Sequence, residues 1–480
     1  MASIKSNLIL NGINTVTSVL FPVITFPYAA RVLLPEGIGV INFLNSIIAY
    51  IVLFTSLGIP LYAVKEVAKC HDEKQERDRV TIEILLLSFI LCVIGYLIVW
   101  MLAEFVPQIH ANYKLFYVLS LTIIFSAIGV NWFYQGIEDF KFITIRAVII
   151  RVVAAASLFI FVHSPKDLLI YGLIIVGSTV GNNFVNFIHL RSFISFRNIS
   201  LKQIRISRHI QPALKIFTFN LITSLYLQLN SVMLGFMSSD EAVGYFTAGN
   251  KISNIALTMI ASIGTVLLPR CSHLLKSGNL DEFSKIIKKS LNLTSLLVYP
   301  ITAGLIVLAS PVVLVFCGAE FQPAVPVLII TAPIIVFVSY TSLMGLQILY
   351  PKDKINLVIY SVAGGAIINI ILNILLIPHL AAVGVAFATL IAQLSVWLLQ
   401  IILGKNYYPF RFSAFLNYKA FISTILMSIG VYIVSQSINS PLLKVLFGTI
   451  SGVIIYTLCL VIFKENLFLS LVAQIKKQIR

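Results

Sequence analysis

The sequence predicts an all-α membrane protein that crosses a bilayer about fourteen times. Three observations carry that prediction. The chain of 480 residues is 59% hydrophobic and only 11% charged, with a mean hydropathy of +0.98. Apolar stretches of bilayer length recur along it, and Lys and Arg gather in every second connection between them. Soluble domains carry about 25% charged residues. A water-soluble fold cannot hide this much apolar surface, so lipid must cover it.

A bilayer core needs ~20 apolar residues per helix. On that ruler the first eight spans fall at 7–30, 39–62, 82–104, 113–134, 142–162, 168–190, 212–236 and 243–268. The rest fall at 291–316, 324–349, 355–377, 381–403, 415–437 and 441–463. The first is too long for a signal-peptide core and is interrupted by Pro22 and Pro27, so it reads as a retained span. Pro311, Pro323, Pro326 and Pro333 crowd the ninth and tenth, where the count is open by one pair.

The loops give the spans a direction. Segment 63–81 holds Lys65, Lys69, Lys74, Arg77 and Arg79, and segment 269–290 holds Arg270, Lys276, Lys285, Lys288 and Lys289. Segment 191–215 is equally basic, with Arg191, Arg197, Lys202, Arg205, Arg208 and Lys215. Lys352, Lys354, Lys405, Arg411 and the tail residues Lys464, Lys476, Lys477 and Arg480 fall on the same side if spans alternate. The opposite side holds Arg31, Lys114, Lys166 and Lys444. Cytoplasmic loops collect such charge, so both termini are expected in the cytoplasm. The net charge of +16 is therefore an orientation signal spread over many loops, and nucleic acid is excluded as a partner. The five cysteines are far apart, with no metal-ligand spacing, and are expected to be free thiols.

Two lobes are predicted. The basic linker 191–211 divides the chain into an N-terminal lobe at 1–190 and a C-terminal lobe at 212–403, followed by two extra helices and a tail at 404–480. An internal echo supports the division. Pro35-Glu36-Gly37-Ile38-Gly39 and onward to Asn45 pairs with Asp240-Glu241-Ala242-Val243-Gly244 and onward to Asn250. Glu36 matches Glu241, Gly39 matches Gly244 and Asn45 matches Asn250. Parallel repeats related by an axis along the membrane normal place a site between them.

Charges inside the bilayer are costly and invite a functional reading. Arg151 lies roughly 13 Å into its span at 1.5 Å per residue, and Lys251 is similarly deep in the eighth span. Both favour a polar cavity over a lipid-facing position. Arg146 and Arg31 lie nearer span ends, where snorkelling to headgroups is an equal explanation. Arg146 and Arg151 are about 140° apart around their helix and cannot share one narrow face. Asn42, Asn45 and Asn250 stand in the echoed motif beside Lys251, where a lumen-facing role and plain interhelical bonding are both open. For the helical pairs Asn182/Asn186 and Asn369/Asn373, interhelical bonding is preferred. Pro22 and Pro27 predict a bend in the first span, as a gate hinge or a static kink. No Asp or Glu falls near mid-bilayer. A cationic cavity without acids suits an anion, and guanidinium suits phosphate. The seven His are scattered and no catalytic motif occurs.

The segment Asn131-Trp132-Phe133-Tyr134-Gln135-Gly136-Ile137-Glu138 resembles the W-x-x-Q-G-x-E segment of bacterial polysaccharide flippases. Tyr28-Ala29-Ala30-Arg31-Val32-Leu33 with Gly37-Ile38-Gly39, and Val232-Met233-Leu234-Gly235 with Val243-Gly244-Tyr245-Phe246, are similar to the openings of that family's two lobes. The family is the Wzx-type O-antigen and exopolysaccharide flippases of the multidrug/oligosaccharidyl-lipid/polysaccharide exporter superfamily. The resemblance implies a MATE-like fold of two six-helix lobes plus two C-terminal helices. It implies translocation of an undecaprenyl-pyrophosphate-linked oligosaccharide across the bacterial plasma (inner) membrane, alongside the polymerase and glycosyltransferases of its pathway. Relatives often carry an acidic residue where Asn230 and Ser231 stand here. H+ or Na+ coupling is thus left open, with no site assigned and no other cofactor expected.

The sequence therefore predicts a transporter and not an enzyme: a lipid-linked oligosaccharide flippase working by alternating access. Arg31, Arg146, Arg151 and Lys251 would bind pyrophosphate, Asn42, Asn45 and Asn250 would bind sugar hydroxyls, and Pro22 and Pro27 would hinge. A multidrug antiporter of the same fold is weakened by the missing deep carboxylate. A membrane glycan polymerase or glycosyltransferase is weakened by short outward loops.

Overall fold

The computed structural model describes residues 4–70, 73–194, 204–410 and 415–479. Every regular element among them is helical. In order they are α1 (Ile4–Ser56), α2 (Ile59–Lys69), α3 (Lys74–Phe105), α4 (Pro107–His110), α5 (Tyr113–Ala127), α6 (Asn131–Gly136), α7 (Phe140–Phe161), α8 (Leu168–Leu190) and α9 (Ser207–Met237). Then follow α10 (Asp240–Lys276), α11 (Leu280–Val307), α12 (Ala309–Phe316), α13 (Ala324–Thr331), α14 (Ile334–Leu343), α15 (Ile355–Gly404), α16 (Tyr418–Gln436), α17 (Pro441–Ile462) and α18 (Asn466–Ile479).

Ten stretches among the described residues are long and apolar enough to cross a membrane, so this is a multi-pass membrane protein. Two of them, Leu20–Lys69 and Ile355–Gly404, have 50 residues each. That is more than twice one crossing; the first is broken within α1 and again at Leu57–Gly58 before α2, and the second is broken once. In α1 the break is Leu34, with φ 63° and ψ 173°. It precedes Pro35, whose ring excludes the helical region for its neighbour. Pro22 and Pro27 stay within helical backbone, so the sharp change of direction falls at Leu34. In α15 the break is Ala381, with φ 45° and ψ −122°. The chain doubles back there: a Cβ on Gly384 would lie 2.6 Å from the carbonyl oxygen of Leu376. Counting both halves of α1 and α15, and adding the long α9 and α10, accounts for the crossings expected. The crowded prolines break the tenth span into α13, α14 and a π-helical turn at Met344–Leu349, but it remains one stretch, Ala324–Leu349.

Caps mark several helix starts. Asp139 accepts the Phe142 amide before α7, Asn279 accepts that of Glu282 before α11, and Asn417 accepts that of Ala420 before α16. Each satisfies an amide that the first helical turn leaves without a partner. Lys352, in the short turn before α15, donates to the Tyr407 carbonyl at 2.6 Å, and burial pushes its ammonium below the usual lysine range. That loop cation anchors packing.

The chain forms two compact units, Met1–Gly244 and Tyr245–Arg480. In the first, α1 packs along α9, α7, α5 and α3. Its early part lies along α7, with the Tyr28 hydroxyl donating to the Val162 carbonyl at 2.7 Å. Its later part lies antiparallel to α9: Phe43 meets Phe236 edge-to-face, Phe54 packs at a tilt against Phe217, and Gly58, just past α1, meets the Ala213 carbonyl. A core at one end joins Tyr62, Val67, Ile84, Trp132, Phe133, Tyr134, Leu190 and Ala213. The Trp132–Gly136 segment is therefore buried packing, and Gly136 is required because a Cβ there would sit 2.7 Å from the Val67 side chain.

In the second unit, Phe283, Ile287, Tyr340, Met344 and Phe415 form one core, and Leu296, Leu308, Met427, Val431 and Tyr456 another. The outer faces are apolar: Ile462 is 71% exposed and Phe105 in the first unit 70%. Lipid, not water, is the solvent such faces fit.

Candidate functional site

The cations singled out in the sequence have distinct surroundings. On α7, Arg146 turns toward α6 and α8, and Arg151 turns toward α1. The Arg146 Nε donates to Asn182 Oδ1 at 3.1 Å and its Nη2 to Asn131 Oδ1 at 3.3 Å, with the guanidinium 5.3 Å above the Phe142 ring. Arg151 Nη1 donates to the Thr17 hydroxyl at 2.8 Å. The two arginines thus serve different helix pairs, as a spacing of five on a helix requires. Arg146 is only 8% exposed, whereas Arg151 is half-buried and Arg31 exposed.

The echoed motif places Asn42 half-buried, with its Nδ2 donating to the Ile38 carbonyl one turn back. Asn45 is exposed on the same helix half. Asn250 and Lys251 lie in the second unit, both half-buried on α10. One turn on, Ser253 bonds to Thr331 at 2.9 Å, and Gly249 packs against Val327 of α13. Arg31, Asn42, Asn45, Arg146 and Arg151 belong to the first unit.

Two features lay outside the sequence reading. The first is a buried ionic cluster where α9 begins. Glu83 of α3 is fully buried and accepts three hydrogen bonds, from the Arg205 amide, Arg208 Nε and His209 Nε2, each at 2.7 Å, with Arg208 Nη2 at 2.6 Å completing the ion pair. The other His209 nitrogen, Nδ1, meets the Tyr62 hydroxyl at 2.8 Å. A carboxylate only accepts, so Nε2 carries the proton and Nδ1 accepts from Tyr62; the partners assign this tautomer. A glutamate opening an apolar run was the available signal, but its partners lie over 120 residues away.

The second is an apolar groove of about 360 Å³ in the second unit, between α11, α12, α16 and α17. Leu296, Pro300, Gly304, Leu308, Gly452 and Val453 are among its walls. Gly304 leaves open space where a side chain would stand. Among the described residues no cluster of His, Cys, Asp and Glu could hold a metal ion.

A family model described as "Polysaccharide biosynthesis protein" matches residues 4–275, more than half of the chain. The chain belongs to the polysaccharide biosynthesis protein family. A candidate O-antigen transporter of Escherichia coli (strain K12) is similar to this family member, with 25% identity over 84% of this chain and 97% of its own length. Among solved structures, the lipid II flippase MurJ in an inward closed conformation superposes with a TM-score of 0.75 at 16% identity, covering 96% of this chain and 99% of that one. An inward-facing multidrug resistance MATE transporter of the MOP superfamily superposes with a TM-score of 0.64 at 14% identity, over 81% and 93% of the two chains. The fold is therefore MATE-like.

Proposed function

We propose that this family member is a flippase for an oligosaccharide linked through pyrophosphate to a polyprenyl lipid. It acts in the bacterial plasma membrane with both termini in the cytoplasm. The family match carries the reading, and the E. coli relative named for O-antigen transport supports it. The chemistry agrees. Arg151, Lys251 and Arg31 supply cations for a pyrophosphate, and Asn42, Asn45 and Asn250 supply amides for sugar hydroxyls. The apolar groove beside α16 and α17 has room for part of a polyprenyl tail. Alternating access moves the head group, and an H+ or Na+ gradient is the driving force we assign to it. The polymerase and glycosyltransferases of the same pathway are its working partners.

Complementation tests this reading. A strain lacking its own flippase for one glycan should regain surface glycan when supplied with this gene and the matching synthesis genes. Failure to export any polyprenyl-linked glycan, with drug efflux gained instead, would sink it. Arg151→Ala combined with Lys251→Ala should lower export at least ~10-fold, the scale of losing about 1.4 kcal/mol of head-group binding. Unchanged export would remove the cationic site from the account. Gly304→Phe should lower export several-fold at normal expression, since the ring fills the groove from a position with free space. Full export by that variant would show that the tail lies elsewhere.

A further inference from the structure

Arg146 has three polar nitrogens, and the protein occupies two of them. Asn182 takes Nε and Asn131 takes Nη2. Nη1 is shut off from solvent and has no hydrogen-bond partner. Among the described residues no carboxylate pairs with this guanidinium. A permanently charged group is thus held by neutral amides with its charge uncompensated, which is strongly unfavourable unless an anion completes it.

A second orphan lies on α8, the helix that supplies the Asn182 partner. Asn186, one turn along α8 from Asn182, is fully buried, and neither atom of its side-chain amide has a partner. Its backbone carbonyl accepts the Tyr134 hydroxyl at 2.9 Å, and the Tyr134 ring lies 4.9 Å from Phe142, the ring beneath Arg146. Both orphans therefore flank one aromatic pair in the first unit. Around it His189 stacks on Phe142 at 4.2 Å and its Nδ1 meets the Tyr134 oxygen at 3.2 Å. The ring edges carry positive charge as well.

The geometry points to a buried site for a small inorganic anion of the chloride class, bound by Arg146 Nη1 and the Asn186 amide, separate from the site for the transported lipid. Nη1 is closed off from solvent where α7 meets α6 and α8, which fits a monatomic ion better than a sugar-bearing pyrophosphate. The proposal does not depend on the flippase reading. The bound ion would fix α8 against α6 and α7, acting as a structural charge.

Thermal unfolding of the detergent-solubilised full chain tests it, in sodium chloride against sodium gluconate at equal ionic strength. Wild type should melt about 3 °C or more higher in chloride, the rise expected for a ligand well above its Kd. Bromide should substitute for chloride. Arg146→Gln should lose the difference, and Asn186→Leu should shrink it. Equal melting in both salts would overturn the proposal, as would a chloride effect that survives Arg146→Gln. A shift caused by inorganic pyrophosphate but not by chloride would also overturn it and return Arg146 to the substrate site. Saturable binding of radiolabelled chloride to wild type, by equilibrium dialysis, keeps the test decisive if Arg146→Gln cannot be purified; no binding would end the proposal.

Discussion

Glu83→Ala is expected to destabilise the protein by about 3–5 kcal/mol, the usual cost of leaving a buried charge without its partner. The carboxylate is fully buried and accepts three hydrogen bonds from residues at and just before the start of α9, beside a close ion pair with Arg208. Alanine would strand the Arg208 guanidinium, the His209 Nε2 proton and the Arg205 amide together. Arg208 would keep only its longer contacts to Glu76, at 3.3 Å. The melting temperature in detergent should fall by about 10 °C. Glu83→Gln retains one acceptor oxygen but turns an amide toward the remaining donors, and should fall about half as far. Tyr62→Phe removes one hydrogen bond and should cost about 1 kcal/mol. The ranking is the discriminating result. If all three variants melt like wild type, the cluster does not hold α9 to the elbow of α2 and α3.

That cluster also shows what kind of information the sequence lacks. Arg205 and Arg208 lie in the linker whose charges read as orientation signals, and Glu83 stands at the start of the third span, expected at 82–104. All three have those positions, yet their pairing is a tertiary fact with no local pattern. The helices themselves were legible because bilayer length and apolarity are local properties. So was the opposition of Arg146 and Arg151, which follows from helical geometry alone. The break in α1 was half legible. Attention went to the prolines inside the first span, but a proline early in a bent helix can keep helical dihedrals, while the residue before Pro35 cannot readily do so. The second break, at Ala381, was legible from span length alone: it falls at the boundary between the spans expected at 355–377 and 381–403, three residues after Pro378. Arg146 was legible as a costly charge. Its amide partners on α6 and α8 were not, since Asn131 sits in the segment that marks the family and Asn182 read as interhelical glue.

Gly39→Ala and Gly244→Ala should each be damaging, though less than loss of the ionic cluster, for a reason that explains the internal echo. The two glycines are matched in the repeat, and the structure places each against the other copy's backbone. Gly39 lies on the Asp240 carbonyl, and Gly244 lies on the Pro35 carbonyl. Pro35 is four residues before Gly39 and Asp240 four before Gly244, so the contact is reciprocal. A Cβ on Gly39 would stand 3.0 Å from the Gly244 amide nitrogen, and one on Gly244 only 2.7 Å from the Pro35 carbonyl carbon. These neighbours are backbone, and no rotamer change relieves them. The start of α10 must move off the second half of α1, at a cost of about 1–3 kcal/mol per methyl by overpacking. Closure at this end should weaken before the fold does, because the clash is confined to one crossing. Val243, fully buried beside that crossing, provides the reporter. A Val243→Cys protein should resist a membrane-impermeant maleimide, and the same cysteine with Gly39→Ala should label at least ~10-fold faster, the rate change for a shift of about 1.4 kcal/mol in the open population. Export should fall with it. Equal labelling rates with full export would mean that the glycines pack but do not seal, and that the echo records common ancestry without a shared mechanical role.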